Sequence, residues 1–318
     1  MLKEEIFPST DLCVVGNINR DIRLAPVRPG DYLFDDGETS VQWTAETVGG
    51  GGANSACAAA ALGARVGLIA KTGADGLAER LEETLRRHNV RAYLAKSPSC
   101  ATGTSVALSL TTGHRHFLSS LPNNESLCFE DLHLKALEQH THLLRADVWF
   151  STPMLLGGNE RLFQHARACG LRTSLDLNWD PQWGVARPEE VRERKLAVRR
   201  LLPFVNIAHG NLRELGEFTE APDLETSLAR LEEWGAESVV VHLGSRGAAF
   251  YRKGSLVEVP PVPAAQHVNT TGTGDVLSVC MMLLDQVQDA SVSDKLLFAN
   301  RIVSEFIEGK RQLIPSIA

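Results

Sequence analysis

Thr270-Thr-Gly-Thr-Gly-Asp275, followed by Val276-Leu-Ser-Val-Cys-Met-Met-Leu-Leu284, is a glycine turn that runs straight into an apolar helix. The first amides of a helix have no partners within it, and the helix dipole places partial positive charge there. Glycine lets backbone come close to an anion. Gly272, Thr273 and Gly274 therefore read as an anion cradle. Asp275 has two readings. As a helix cap, its carboxylate would fill the amide site itself. As a general base beside a phosphoryl group, it would be kept ionised by the helix field, and a loose phosphoryl-transfer transition state tolerates so weak a base. The amides would then hold the charge developing on the phosphate oxygens.

Outward from this turn, apolar runs of strand length alternate with helical spacing. Strands are expected at 12–15, 66–70, 148–150, 173–177, 204–208 and 238–243. Helices are expected at 53–62, at 77–88 with Leu77, Leu81 and Leu85 on one face, and at 162–168, 191–202 and 224–234. Such alternation predicts an α/β fold, a mostly parallel central sheet with crossover helices on both faces. Residues 248–251 and 256–259 read as an antiparallel pair turning at Lys253-Gly254, and helices at 273–287 and 291–307 follow. Residues 21–48 and 90–117 break the rhythm with β-leaning patches such as Ser40-Val-Gln-Trp43 and Thr104-Ser-Val-Ala-Leu108. They are expected to form a small discontinuous β lid. Residues 1–20, 49–89 and 118–318 would form the α/β domain.

The 318 residues carry a net charge of −7, and the pI is about 5.8. That field argues against nucleic-acid and anionic-membrane partners. The basic run at 192–200 reads as a solvated helix face. The six cysteines are scattered without CxxC spacing, which suggests neither zinc nor a redox dithiol. Reduced, mostly buried thiols in a cytoplasmic protein are expected. The first ten residues lack the basic and apolar regions of a signal peptide, and no apolar run approaches the roughly 20 residues that span a bilayer. There is no Walker A motif and no GxGxxG, which argues against a P-loop NTPase and a Rossmann dehydrogenase. Trp179 and Trp183 could wall a pocket or pack in the core. His114 and His116 alternate on an expected strand and could touch substrate from the lid, but they are not expected to bind a metal. His140 and His142 are expected on the surface.

With these features in order, the chain resembles the ribokinase-like carbohydrate kinases of the PfkB family along nearly its whole length. Val14-Val-Gly-Asn-Ile-Asn-Arg-Asp21 resembles the family's opening strand and sugar-binding turn, with Asn19 and Asp21 where sugar hydroxyls are held. Val48-Gly-Gly-Gly-Gly-Ala-Asn54 is similar to its first signature: Gly49 and Gly50 would pack against substrate, and Asn54 would bond a hydroxyl. Gly51 stands where ribokinases carry lysine, which argues against ribose. Ser174-Leu-Asp-Leu-Asn178 resembles the strand whose tip faces phosphate transfer. Asp180 stands where members acting on sugar acids often have arginine, which argues against an acidic sugar. Asn211-Leu-Arg-Glu214 is similar to the NxxE motif, whose Glu214 would hold a water of the Mg²⁺ shell; an ordinary helix start explains it equally well. His242-Leu-Gly-Ser-Arg-Gly247 resembles the nucleotide loop, with Gly244, Ser245 and Gly247 near ATP. Asn300 falls where the family lines the adenine pocket.

The resemblance implies transfer of the ATP γ-phosphoryl to a sugar or small-polyol hydroxyl, with Mg²⁺, Asp275 as base and the lid excluding water. It also implies a homodimer through the lid. Asn269 replaces an aspartate of a monovalent-cation site, so weak or absent potassium activation is expected. Two alternatives stand. One is a nucleoside kinase of this fold, against which the 6% aromatic content argues. The other is a catalytically silent sugar- or nucleotide-binding regulator.

Overall fold

A computed structural model describes residues 10–317 except Gly113, His267, Asn269 and Thr270. The potassium expectation on Asn269 therefore lies outside the described residues. The large sheet has nine strands: β1 (Asp11–Val15), β4 (Arg65–Gly73), β5 (Val90–Ser97), β8 (His142–Arg145), β9 (Arg172–Asp176), β10 (Ile207–Asn211), β11 (Val239–His242), β12 (Ala248–Arg252) and β13 (Ser255–Val259). Their order is β13-β12-β11-β10-β9-β8-β1-β4-β5. All neighbours pair parallel except β11/β12 and β12/β13, which form the expected antiparallel end turning at Lys253 and Gly254. The chain leaves β1 in both directions, to β4 on one side and β8 on the other. Open α/β sheets place their ligand crevice at such a switch point, beyond the carboxyl ends of the strands.

The two faces of the sheet are visible in single strands. In β11, Val240 joins one apolar core, whereas Val239 and Val241 join another. In β1, Leu12 and Val14 separate from Cys13 and Val15 in the same way. Period-two alternation between two buried faces explains why these strands read as continuous apolar runs. The helices Gly51–Ala61, Thr273–Asp285 and Val292–Ile307 cover one face. The helices Asn159–Ala168, Pro188–Arg199, Leu212–Thr219 and Leu224–Glu233 pack on the other.

The second sheet has the order β3-β2-β6-β7, from β2 (Asn19–Leu24), β3 (Thr44–Gly49), β6 (Thr104–Ser109) and β7 (Arg115–Ser120). Val90–Ser97, which the sequence placed in the lid, is instead the parallel edge strand of the large sheet. The small sheet also starts at Asn19 and ends at Ser120, beyond the expected limits. The strand expected at 148–150 lies earlier, at β8, whose His142 and Arg145 are buried. His142 is thus a core residue rather than a surface one, and its imidazole shares a hydrogen bond with Ser174 Oγ (2.9 Å).

The 192–200 segment is not a wholly solvated face. Arg194 turns inward and forks onto the fully buried Asp180 (2.7 and 2.9 Å), and it also donates to Trp149 O (2.6 Å). Trp183 packs edge-on against Trp149 and Trp179, a core role. Of the cysteines, Cys13, Cys57 and Cys280 are buried, Cys100 and Cys128 half-buried, and Cys169 exposed. No helix among the described residues is long and apolar enough to cross a membrane.

Candidate active site

The Gly272 turn enters the Thr273–Asp285 helix with Gly272 in the left-handed region, φ 84°. A Cβ there would also stand 2.3 Å from Ile314 Cδ1, so only glycine fits. No side chain caps this helix. Asp275 sits inside the first turn, where its Oδ2 accepts from Asn54 Nδ2 (3.2 Å). The cap reading of Asp275 therefore fails, and the first amides are left to the cleft. The expectation that the helix field keeps Asp275 readily ionised also fails. Burial, then the Asp147 charge, with Glu214 and Asp21 behind it, holds its carboxyl well above the usual range.

Three cavities meet at this turn. The middle one is lined by Asp176, Asn178, Asn211, Glu214, His242, Thr271, Gly272, Thr273, Gly274 and Asp275, with Arg115 and Phe117 from the lid. On one side lies a cavity of about 310 Å³ that shares Asn211, His242, Thr273 and Gly274 and adds Gly244, Gly247, Pro261, Val262, Leu277 and Asn300. On the other lies a small cavity lined by Asp21, Arg23, Asn54, Thr271 and Ile314 among others. The middle and larger cavities thus sit beyond the carboxyl ends of β9, β10 and β11, on the β8 side of the switch point at β1.

The residues around the small cavity form two layers. Asp21 and Asn54 line the small cavity; Asn54 Oδ1 is buried without a hydrogen-bond partner, an acceptor aimed at no protein donor. Asn19, Gly49 and Gly50 lie behind it, and the cavity linings do not include them. Asn19 Nδ2 donates to Asp21 Oδ1 (2.7 Å) and orients it. Burial pushes the Asp21 carboxyl up to about 7, against that hydrogen bond. A Cβ on Gly49 would meet Asp21 Oδ1 at 2.1 Å, so Gly49 is required by Asp21 rather than by substrate. Gly49→Ala should therefore displace Asp21 and weaken binding of a ligand in the small cavity by about tenfold or more, read by calorimetry. Gly50 precedes the Gly51–Ala61 helix, and its carbonyl accepts from Asn54 N (2.9 Å).

The glycine run is not itself an anion site. Asp147 fills it: its carboxylate accepts from Gly51 N (3.2 Å), Gly52 N (2.8 Å) and Asn17 N (3.0 Å). A Cβ at Gly51 would already press on Asp147 Oδ1, at 2.8 Å. Glu214 and Asn211 form a reciprocal capping box: Asn211 N donates to Glu214 Oε2 (2.8 Å), and Glu214 N to Asn211 Oδ1 (2.9 Å). The helix-start explanation of NxxE is therefore correct, yet both residues also face the middle cavity. Asn178 belongs to this middle cavity and not to the larger one, and its Oδ1 accepts from Asp147 N (2.9 Å). Gly244 and Gly247 line the larger cavity, whereas Ser245 is exposed outside its lining. Asn300 lines it too, with Nδ2 donated to Pro260 O (2.9 Å).

Residues 9–308 match the pfkB family carbohydrate kinases. The chain belongs to the pfkB family. It is 26% identical over 270 residues to a cytidine kinase of Thermococcus kodakarensis, covering 84% of this chain and 86% of that protein. It is also 26% identical over 321 residues to a ribokinase of Arabidopsis thaliana, covering 96% and 78%. The fold is similar to that of an E. coli protein described as a putative ribokinase II in complex with ATP and Mg²⁺. The TM-score is 0.77 at 20% identity, covering 94% of this chain and 93% of that one.

Within this pfkB-family site, sequence reasoning missed three groups. Arg115 donates to Thr271 Oγ1 (2.7 Å), bringing a guanidinium from the small sheet to the glycine turn. The sequence suggested that His114 and His116, with Arg115 between them, could touch substrate from the lid; Arg115 and Phe117 are the lining residues, and His116 lies on the alternate side of β7. Asp147 and Asp176 were also unassigned. Burial and repulsion from Asp275 and Glu214 push Asp176 well up.

Proposed function

We propose that this pfkB-family chain transfers the γ-phosphoryl of ATP to a hydroxyl of a sugar or related small polyol. The observation that carries this reading is the continuity of the three cavities at one turn. Thr273 and Gly274 are common to the larger and middle cavities, and Thr271 to the middle and acceptor-side ones. A nucleotide in the larger cavity would present its terminal phosphate to the uncapped amides, next to an acceptor at Asp21 and Asn54.

The middle cavity supports a divalent cation. Asp176, Glu214 and Asp275 line it; beyond the effect of burial, Asp275 and Glu214 raise the carboxyl of Asp176, and Asp147 and Glu214 raise that of Asp275. Oxygen donors spread around the cavity suit Mg²⁺ held largely through its own waters, with Glu214 acting through one of them. When bound, Mg²⁺ would neutralise phosphate charge. The chain's own residues do the rest. Asn19 aims Asp21, and Asp21 and Asn54 hold acceptor hydroxyls. Asp275 takes the proton from the attacking hydroxyl. The amides at Gly272, Thr273 and Gly274 hold the charge on the transferring group. Arg115 and Phe117 close the cleft from the lid and exclude water.

The cytidine kinase relative favours one second reading, a nucleoside acceptor in the same site. An ADP-release assay over pentoses, hexoses, sugar acids and nucleosides separates the two. Sugar-dependent release is expected, and no turnover with any acceptor would leave a silent binding protein. A homodimer through the lid is part of the proposal, supported by Leu118, 59% exposed on β7. Sedimentation should give twice the chain mass.

Asp275 acts as base only when ionised, so activity falls as pH drops through its raised pKa. Asp21, at about 7, accepts hydroxyl protons best when ionised and adds a second loss in the same direction. The acid limb of kcat/KM should therefore lie well above pH 4 and approach a slope of two. Asp21→Asn should reduce that slope to one. A limb in the ordinary carboxylate range would contradict these environments.

A further inference from the structure

The acceptor-side cavity has one wall that the family match does not reach. The match ends at residue 308. Beyond it, residues 313–317 run along lid strand β3. Val48 N donates to Pro315 O (3.1 Å) and Ile317 N to Glu46 O (3.1 Å), and Thr47 bridges antiparallel to Ser316. Leu313, 2% exposed, is anchored in the core beneath. Between these anchors Ile314 lines the cavity beside Asp21, Asn54 and Thr271, and it lies against Gly272, the first residue of the anion turn.

We infer that Ile314 is a specificity-determining residue of the acceptor site. The inference rests on the phosphotransfer reading only for calling this cavity the acceptor's. Ile314, Val48 and Phe306 give the cavity an apolar side, while Asp21, Arg23 and Asn54 give it a polar one. The acceptor that suits it is a compact polyol, with hydroxyls on Asp21 and Asn54 and a carbon face on Ile314. The cavity holds only about 30 Å³, room for little more than a water. An acceptor must therefore displace the Ile314 side chain or lift β3 with the segment bound to it. Either way, the size of residue 314 selects among acceptors. The pairing of 315–317 to β3 makes the selecting wall part of the lid, so it arrives and leaves with lid movement.

The test compares wild type, Ile314→Ala, Ile314→Val and Ile314→Phe with ribose, fructose and cytidine. It reads kcat/KM from ADP release and acceptor Kd by calorimetry without ATP. A hydrophobic wall discriminates by about tenfold or more per methylene group. Ile314→Ala should shift the cytidine-to-ribose ratio upward by about that factor, and Ile314→Val by less. Ile314→Phe should shift it downward, and the ATP KM should stay unchanged throughout. Ile314→Val keeps the comparison available if the alanine variant does not fold. An equal loss for every acceptor would mean that Ile314 only braces the fold, and the inference fails. Unchanged ratios also overturn it. If wild type binds acceptors but turns none over, the phosphotransfer reading fails, while the ratio of Kd values still tests Ile314. If it binds none of the three, the cavity is not an acceptor site for this class and the inference fails.

Discussion

Asp275→Asn should lower kcat by about 10²- to 10⁴-fold, the range for loss of a positioned general base. The ATP KM should change little, because the residues lining the larger cavity do not include Asp275. Stability should not fall with activity. The ionised carboxylate is disfavoured by burial and by Asp147, Glu214 and Asp21. A neutral amide of the same shape removes that repulsion and can still accept from Asn54 Nδ2, which donates to Asp275 Oδ2 in the native chain. The melting temperature of the variant should therefore equal or exceed that of wild type. A residue retained only to cap its helix would give the opposite pattern, intact turnover and a lower melting temperature. Initial-rate kinetics and a thermal melt on the same preparation separate the two.

Arg194→Ala carries the largest expected effect on stability. Asp180 is fully buried, and Arg194 is its ion-pair partner through two hydrogen bonds. Removing one partner of a buried pair costs about 3–5 kcal/mol, because the remaining charge has no water to return to. Trp149 O would lose its donor as well. Denaturant unfolding should show a lower midpoint with an unchanged slope. Asp180→Asn together with Arg194→Leu should recover part of the loss. That recovery would show that the stranded charge, and not the missing guanidinium packing, is the main cost. The pair also changes what Asp180 means. The sequence contrasted it with an arginine that contacts acidic sugars, but here it fastens the Pro188–Arg199 helix to the loop after β9. Its identity therefore says nothing about the acceptor's charge.

The legible parts of this chain were those with local physical signals. Leu12–Val15 and Val239–Val241 are short apolar runs because both faces of the sheet are covered. The Gly272 turn announced a helix start through adjacent residues, and Lys253-Gly254 announced a hairpin. Hidden features depended on partners far along the chain. β8 reads His-Leu-Leu-Arg, and its polar ends concealed a buried strand. Arg145 is accommodated by Asn159 Oδ1 (2.7 Å), Val15 O (3.1 Å) and the carbonyl of Ala146. Asp147 looked unremarkable until Asn17, Gly51 and Gly52 were brought to it. Val90–Ser97 looked like lid because an edge strand is only half covered, which gives it the mixed pattern of a solvated sheet. Arg115 lost out to its histidine neighbours because alternation identifies two strand faces but not which one meets the cleft.

The central claim is phosphoryl transfer at the turn shared by the three cavities. Its most direct test is mass analysis of the acceptor after incubation with Mg²⁺ and ATP carrying an ¹⁸O-labelled γ-phosphate. The predicted result is an acceptor that has gained one labelled phosphate, formed in equal amount with ADP and about 10²- to 10⁴-fold more slowly with Asp275→Asn. ADP formed at the same rate without acceptor, with the label recovered as inorganic phosphate, would contradict it.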